Sequence, residues 1–157
     1  MKMKTLSVIL AVCFATVTAS FGAESLMGTW KLNQGKSKLA RGTGRNTMVV
    51  YDWAPMFRTK VTIDGIDGRG HKTHTEWIGH LDGDDYPVSG DRTSDMRSYK
   101  KINDNTFDFA GKKNGKVAYH GRILVSADGK TRTVVTISKN RKGRTVRSTA
   151  VYDKTAD

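Results

Sequence analysis

Short runs rich in Val, Ile, Thr, Tyr, Phe and Trp alternate along this chain with turn signals, at the close spacing of an all-β domain. The signals are Asp64-Gly65, Asp67-Gly68, Asp82-Gly83, Ser89-Gly90, Asn103-Asp104-Asn105, Asn114-Gly115, Asp128-Gly129 and Lys142-Gly143. Asn-Gly and Asp-Gly supply the positive φ angles that tight hairpins need. Between them nine strands are expected, over 28–32, 46–53, 57–64, 71–81, 95–102, 105–110, 116–125, 131–139 and 145–153. Residues 33–45, rich in Gly, Ser, Lys and Arg, read as a loop with one helical turn. No long segment carries the apolar period of a helix.

Alternation along the strands assigns their faces. Tyr119, Gly121, Ile123 and Val125 share one face with Val117, against Ala118, His120, Arg122 and Leu124. Thr75, Trp77, Gly79 and Leu81 oppose His74, Glu76, Ile78 and His80, and Val146, Ser148, Ala150 and Tyr152 oppose Arg147, Thr149 and Val151. Neither face of most strands is cleanly polar, which suits a barrel with a mixed interior better than a sandwich with solvated outer faces. A meander that closes into a barrel removes its edges. Small barrels of this type enclose room for one ligand. The expectation is a single up-and-down antiparallel β-barrel over residues 24–157.

Residues 1–23 read as a signal peptide. Lys2 and Lys4 precede an apolar run from Leu6 to Val17, too short to span a bilayer, followed by Ala19, Ser20, Gly22 and Ala23. The implied location is periplasmic or secreted. Cys13, the single cysteine, falls inside this leader, so the mature chain is expected to lack a thiol and a disulfide. The full sequence of 157 residues carries +12, and loss of Lys2 and Lys4 leaves about +10. Such a balance favours anionic partners, namely an anionic membrane or polymer surface.

Four segments in order carry a resemblance to a family. They are Gly28-Thr29-Trp30-Lys31-Leu32-Asn33, Asp82-Gly83-x-Asp85-Tyr86-Pro87-Val88-x-Gly90, Ser126-x-Asp128-Gly129-Lys130 and Val151-Tyr152-Asp153-Lys154. Over about 125 residues, from Gly28 to Lys154, the chain resembles the calycin group, and within it small secreted bacterial lipocalin-like proteins. The resemblance implies that Gly28 and Trp30 form the barrel base. It also implies a basic side chain from the last strand over the Trp30 indole, for which Arg147 is the candidate; such a contact is worth roughly 1 kcal/mol. Fatty-acid-binding proteins of this group close on Arg-x-Tyr. Ala150-Val151-Tyr152 keeps the tyrosine and lacks the arginine.

Candidate chemistry is sparse. His74 and His80 share a face but stand about 20 Å apart in an extended strand, so His71, His74, His80 and His120 are not expected to gather a metal. Asp82-Gly83-Asp84-Asp85 lacks calcium-loop spacing. Arg41-Gly42-Thr43-Gly44-Arg45 lacks the strand-to-helix setting of a phosphate loop, and there is no Gly-x-Ser-x-Gly. No catalytic residue, cofactor or specific nucleic-acid partner is expected. The aromatic residues are the better lead. Trp53-Ala54-Pro55-Met56-Phe57 is an apolar turn where turns are usually polar, and reads as the mouth of the cavity. Candidate ligand contacts are Trp53, Phe57, Trp77, Tyr119, Arg122 and Tyr152. The expected partner is a small apolar or amphipathic molecule, taken up by a monomer. A cationic surface-binding protein and a barrel enzyme of unassigned chemistry are the competing readings. With nine strands, the basic turns holding Lys112, Lys113 and Lys116, and Lys139, Arg141, Lys142 and Arg144, fall at one end beside residues 53–57.

Overall fold

The computed structural model describes residues 24–140 and 142–157. The proposed leader, with Cys13, and Arg141 lie outside the described residues. Ten strands form one closed antiparallel barrel. In chain order they are β1 (Gly28–Leu32), β2 (Arg45–Ala54), β3 (Arg58–Ile66), β4 (Lys72–Gly79), β5 (Tyr86–Ser89), β6 (Met96–Asn103), β7 (Thr106–Lys113), β8 (Lys116–Val125), β9 (Thr131–Lys139) and β10 (Thr145–Ala156). Each strand pairs with its sequence neighbours, and β1 closes the circle against β10, with Leu32 opposite Tyr152. The fold is thus the expected up-and-down antiparallel barrel.

Two details differ from the sequence expectation. Asp64-Gly65 is not a turn: β3 runs on to Ile66, and the reversal is made by residues 67–70, where Gly70 N–H donates to the Asp67 carbonyl. The segment 82–94, read as one loop, contains β5. That strand has only four residues, includes Pro87, and makes two residue pairs with each neighbour. Proline cannot donate to a ladder, so the run lacks the signature of a strand.

The extra strand changes which turns share an end. The β1–β2 connection and the turns at 67–71, 90–95, 113–116 and 140–144 lie together at one end. The turns at 54–57, 80–85, 103–105 and 126–130 lie at the other, with Glu24 and Asp157. The two basic hairpins do share an end. The apolar turn with Trp53 and Phe57 sits at the opposite one, because the additional β5 inverts every turn after it relative to those before.

The second end is sealed. A single 3-10 turn, Glu24–Leu26, brings Leu26 beneath the barrel, where it is fully buried. Trp30 is fully buried above it and donates its indole N–H to the Leu26 carbonyl at 2.8 Å. Val61, Trp77 and Phe107 complete the packed half. Burying each such side chain stabilises the fold by about 1.5–3 kcal/mol.

Candidate functional site

The inward faces of the strands do not fill the other half. A cavity of about 700 Å³ opens at the end of the barrel that carries the 67–71, 90–95 and 140–144 turns. Val49, Ile63, Phe109, Ile123, Val134 and Ala150 provide its apolar wall. Tyr51, Tyr99, Tyr119 and Tyr152 add aromatic surface. Arg45, Arg69, Arg92 and Lys139 stand at the rim.

At the floor lies Arg132, the second residue of β9 and directly across the ladder from Tyr152. It shares the inward face with Val134, Thr136 and Ser138. Its guanidinium is 4.5 Å from the Tyr152 ring, 5.1 Å from Tyr51 and 5.4 Å from Trp30. The side chain is 1% exposed, yet neither Nε nor Nη1 has a hydrogen-bond partner. Three π faces favour the charge but leave its N–H groups unsatisfied. Among the described residues, the carboxylates lining this cavity are Asp67 and Asp91, and both are engaged elsewhere. A buried cation with unpartnered donors beside a cavity favours an anion there.

A second arginine faces the same space and is neutralised. Arg97 Nη2 donates to Asp91 Oδ2 at 2.8 Å, and Nε donates to the Tyr119 hydroxyl at 2.9 Å. Tyr119 donates on to Asp91 at 2.9 Å, and Ser94 to the same oxygen at 2.6 Å. Burial opposes ionisation of Asp91. The Ser94 and Thr93 hydroxyls, the Thr93 N–H and the Arg97 charge outweigh it and hold the carboxyl at about 2. Burial pushes the Tyr51, Tyr119 and Tyr152 phenols up, so all three remain neutral hydroxyls.

Two glycines set the aromatic wall. Gly111 pairs across β7 and β8 with Tyr119, and Gly121 pairs with Phe109. A Cβ on Gly111 would lie 2.1 Å from Tyr119 Cζ, and one on Gly121 would lie 2.0 Å from the Val135 carbonyl oxygen and 2.7 Å from the Phe109 ring. Only glycine lets these rings lie across the sheet, and that aims the Tyr119 hydroxyl at Arg97.

The structure brings together some of the sequence-predicted residues and separates others. Tyr119 and Tyr152 line the cavity. Trp77 is 1% exposed in the packed half, donates its indole N–H to the Arg97 carbonyl at 2.9 Å and meets the Tyr99 ring edge-on. Trp53 and Phe57 are 54% and 88% exposed at the sealed end, so they form no mouth. Arg122 points outward into a two-pronged ion pair with Asp108, at 2.6 and 2.9 Å. Gly28 and Trp30 lie buried in β1 at the sealed end. Arg147 is exposed on the outer face of β10, and the cations over the indole are Arg132 and Lys154 instead. Alternation alone separates Arg147 from Tyr152, since odd and even residues of one strand face opposite ways. Of the basic residues, Lys112 pairs with Asp85 at 2.5 Å, while Lys113, Lys116, Lys139, Lys142 and Arg144 are exposed.

No family model matches the chain, and no curated protein matches it. Among solved structures it is similar to a mutant of the fluorescent protein UnaG, at 14% identity and a TM-score of 0.55, over 84% of this chain and 97% of that one. It also aligns with the redesigned β-barrel mFAP1 bound to DFHBI, at 12% identity and a TM-score of 0.44, over 85% of this chain and 98% of that one. A third is EF1p2_mFAP2b bound to DFHBI, at 11% identity and a TM-score of 0.47, over 85% of this chain and 97% of that one. The likeness to UnaG is one of fold, and it agrees with the strand order: residues 28–156 form a calycin-like barrel with one open end.

Proposed function

We propose that the protein is an exported container for one small amphipathic acid, held with its anionic group on Arg132 at the floor and its apolar body against the aromatic wall. The observation that carries this reading is the buried Arg132 guanidinium, whose Nε and Nη1 have no partner and which lines a cavity of about 700 Å³. That volume lies within the range of about 300–1,000 Å³ usual for small-molecule sites. A carboxylate reaching the floor gains charge-assisted hydrogen bonds, and Tyr152 and Tyr51 fix its approach by flanking the guanidinium. The reading includes export to a periplasmic or extracellular space, supported by the charged start and apolar run of residues 1–23.

The test is a fluorescence titration with 11-(dansylamino)undecanoic acid and its methyl ester, in wild type and Arg132→Met. One site per chain is expected, with the acid bound at least tenfold more tightly than the ester. Arg132→Met should erase that preference, because a charge-assisted bond contributes about 1.5–3 kcal/mol. Equal affinity for acid and ester in the wild type, or no saturable binding of either, defeats the proposal. N-terminal sequencing of protein recovered after export should begin between Ser20 and Ser25.

A further inference from the structure

The charge of the molecule is not spread evenly. The open end carries Arg45, Arg69, Arg92 and Lys139 around the rim, all exposed, and none forms an ion pair among the described residues. Beyond them project the exposed hairpin residues Lys113, Lys116, Lys142 and Arg144. The acids near this end are fewer: Asp91 is ion-paired with Arg97, Asp67 and Asp95 accept backbone N–H bonds and keep their charge, and the exposed Asp64 meets the His74 ring. The sealed end instead exposes Glu24, Asp52, Asp82, Asp84 and Asp128, beside the exposed cations Lys100 and Lys130. The net positive charge of the chain is therefore concentrated around the cavity mouth, and in the field of an anionic surface the barrel turns its mouth toward that surface.

We infer that the open end is a docking face for a bilayer rich in anionic lipid, and that cargo passes between bilayer and cavity while the mouth is held against it. The charge complementarity selects an anionic surface. The position of the mouth selects a bilayer over a soluble polyanion: whatever covers the cationic ring also covers the way into the cavity, so it must be able to give or take the cargo. A bilayer dissolves amphipathic acids and a polyanion does not. Val117, 58% exposed beside Lys116, adds an apolar contact within the cationic ring. The cargo half of this inference rests on the ligand class proposed above; the docking half does not.

Flotation with vesicles of phosphatidylcholine, with and without 30 mol% phosphatidylglycerol, separates the two halves. Ligand-free protein should bind the anionic vesicles at least tenfold better than the neutral ones at low salt, and lose that advantage in about 0.5 M salt, where screening acts within a few ångströms. The combined variant Lys113→Gln, Lys116→Gln, Lys142→Gln and Arg144→Gln lies outside the cavity. It should bind the dansyl acid in solution as wild type does, yet lose at least tenfold in vesicle binding and in the rate of dansyl-acid transfer to anionic vesicles. A control, Lys100→Gln with Lys130→Gln at the sealed end, should change neither. Equal binding to neutral and anionic vesicles overturns the docking face. Docking retained with a transfer rate indifferent to anionic lipid overturns exchange at the mouth. Tighter, salt-resistant binding to heparin than to anionic vesicles overturns the bilayer in favour of a polymer. Loss of dansyl-acid binding in wild type, with docking intact, counts against the cargo and not against the face.

Discussion

The two buried arginines beside the cavity differ in one respect: Arg97 has a carboxylate partner and Arg132 does not. That difference assigns their roles. Arg97, Asp91, Ser94 and Tyr119 form a satisfied network that stiffens the wall, whereas Arg132 has two unpartnered donors, on which the proposed acid site rests. The Asp91 carboxyl is held at about 2, below its unfolded value. It therefore contributes stability that is complete above about pH 4 and is lost as pH falls toward 2. Asp91→Asn should cost about 2 kcal/mol at pH 7. Chemical denaturation of wild type and variant across that window should show the gap closing as pH drops, and a constant gap would show that the carboxylate charge is not what holds the network. Arg132 is only half legible in the sequence. Its strand is identifiable, but Val134 on its own face is matched by Val135 and Ile137 on the other, so alternation does not say which face is buried. Arg147 attracts the assignment because the resemblance places the cation on the last strand; the alternation of β10 itself argues against it.

Among the elements, β5 is the weak member of the barrel. It joins β4 and β6 through two residue pairs on each side, where β3 and β4 share eight. The seam is held instead by side chains: Trp77 on the Arg97 carbonyl, and Asp91 on Arg97 across the 90–95 turn. Hydrogen exchange of the native protein should therefore be fastest, among the strands, in residues 86–89, and faster still in Asp91→Asn; protection equal to that of β9 would contradict this. The same shortness hides the strand from a sequence reading. Four residues with a proline do not carry a period, and leaving them out inverts a whole set of turns. The β2–β3 hairpin shows the opposite case, a feature plainly legible but misplaced. Met56 and Phe57 are exposed, and both adopt positive φ, 62° and 56°. A left-handed conformation costs a non-glycine residue about 1–2 kcal/mol. Phe57→Gly should thus raise stability by about 1 kcal/mol in denaturant unfolding and leave dansyl-acid affinity unchanged. Weakened binding would return this turn to the site.

At the scale of the whole molecule, one half of the barrel is a packed core and the other a cavity, and the division follows from side-chain size. Trp30, Trp77 and Phe107 crowd the sealed half, while Val49, Val134, Thr136, Ser138, Ser148 and Ala150 leave the open half unfilled. Class, meander topology and the base tryptophan are legible because they depend on local turns and on Gly28-x-Trp30. The open end is not, because it depends on strand parity summed around the whole circle, where a single strand more or less reverses the answer. In the proposed function a ligand enters acid first and stops on Arg132. A crystal structure of the complex with 11-(dansylamino)undecanoic acid tests it most directly. The carboxylate should lie within hydrogen-bond reach of the Arg132 guanidinium, at about 2.7–3.2 Å, with the dansyl group toward the rim near Arg92 and Lys139. A carboxylate left at the rim, with the apolar chain over Trp30 and Arg132 still unpartnered, would show that Arg132 does not receive the acid.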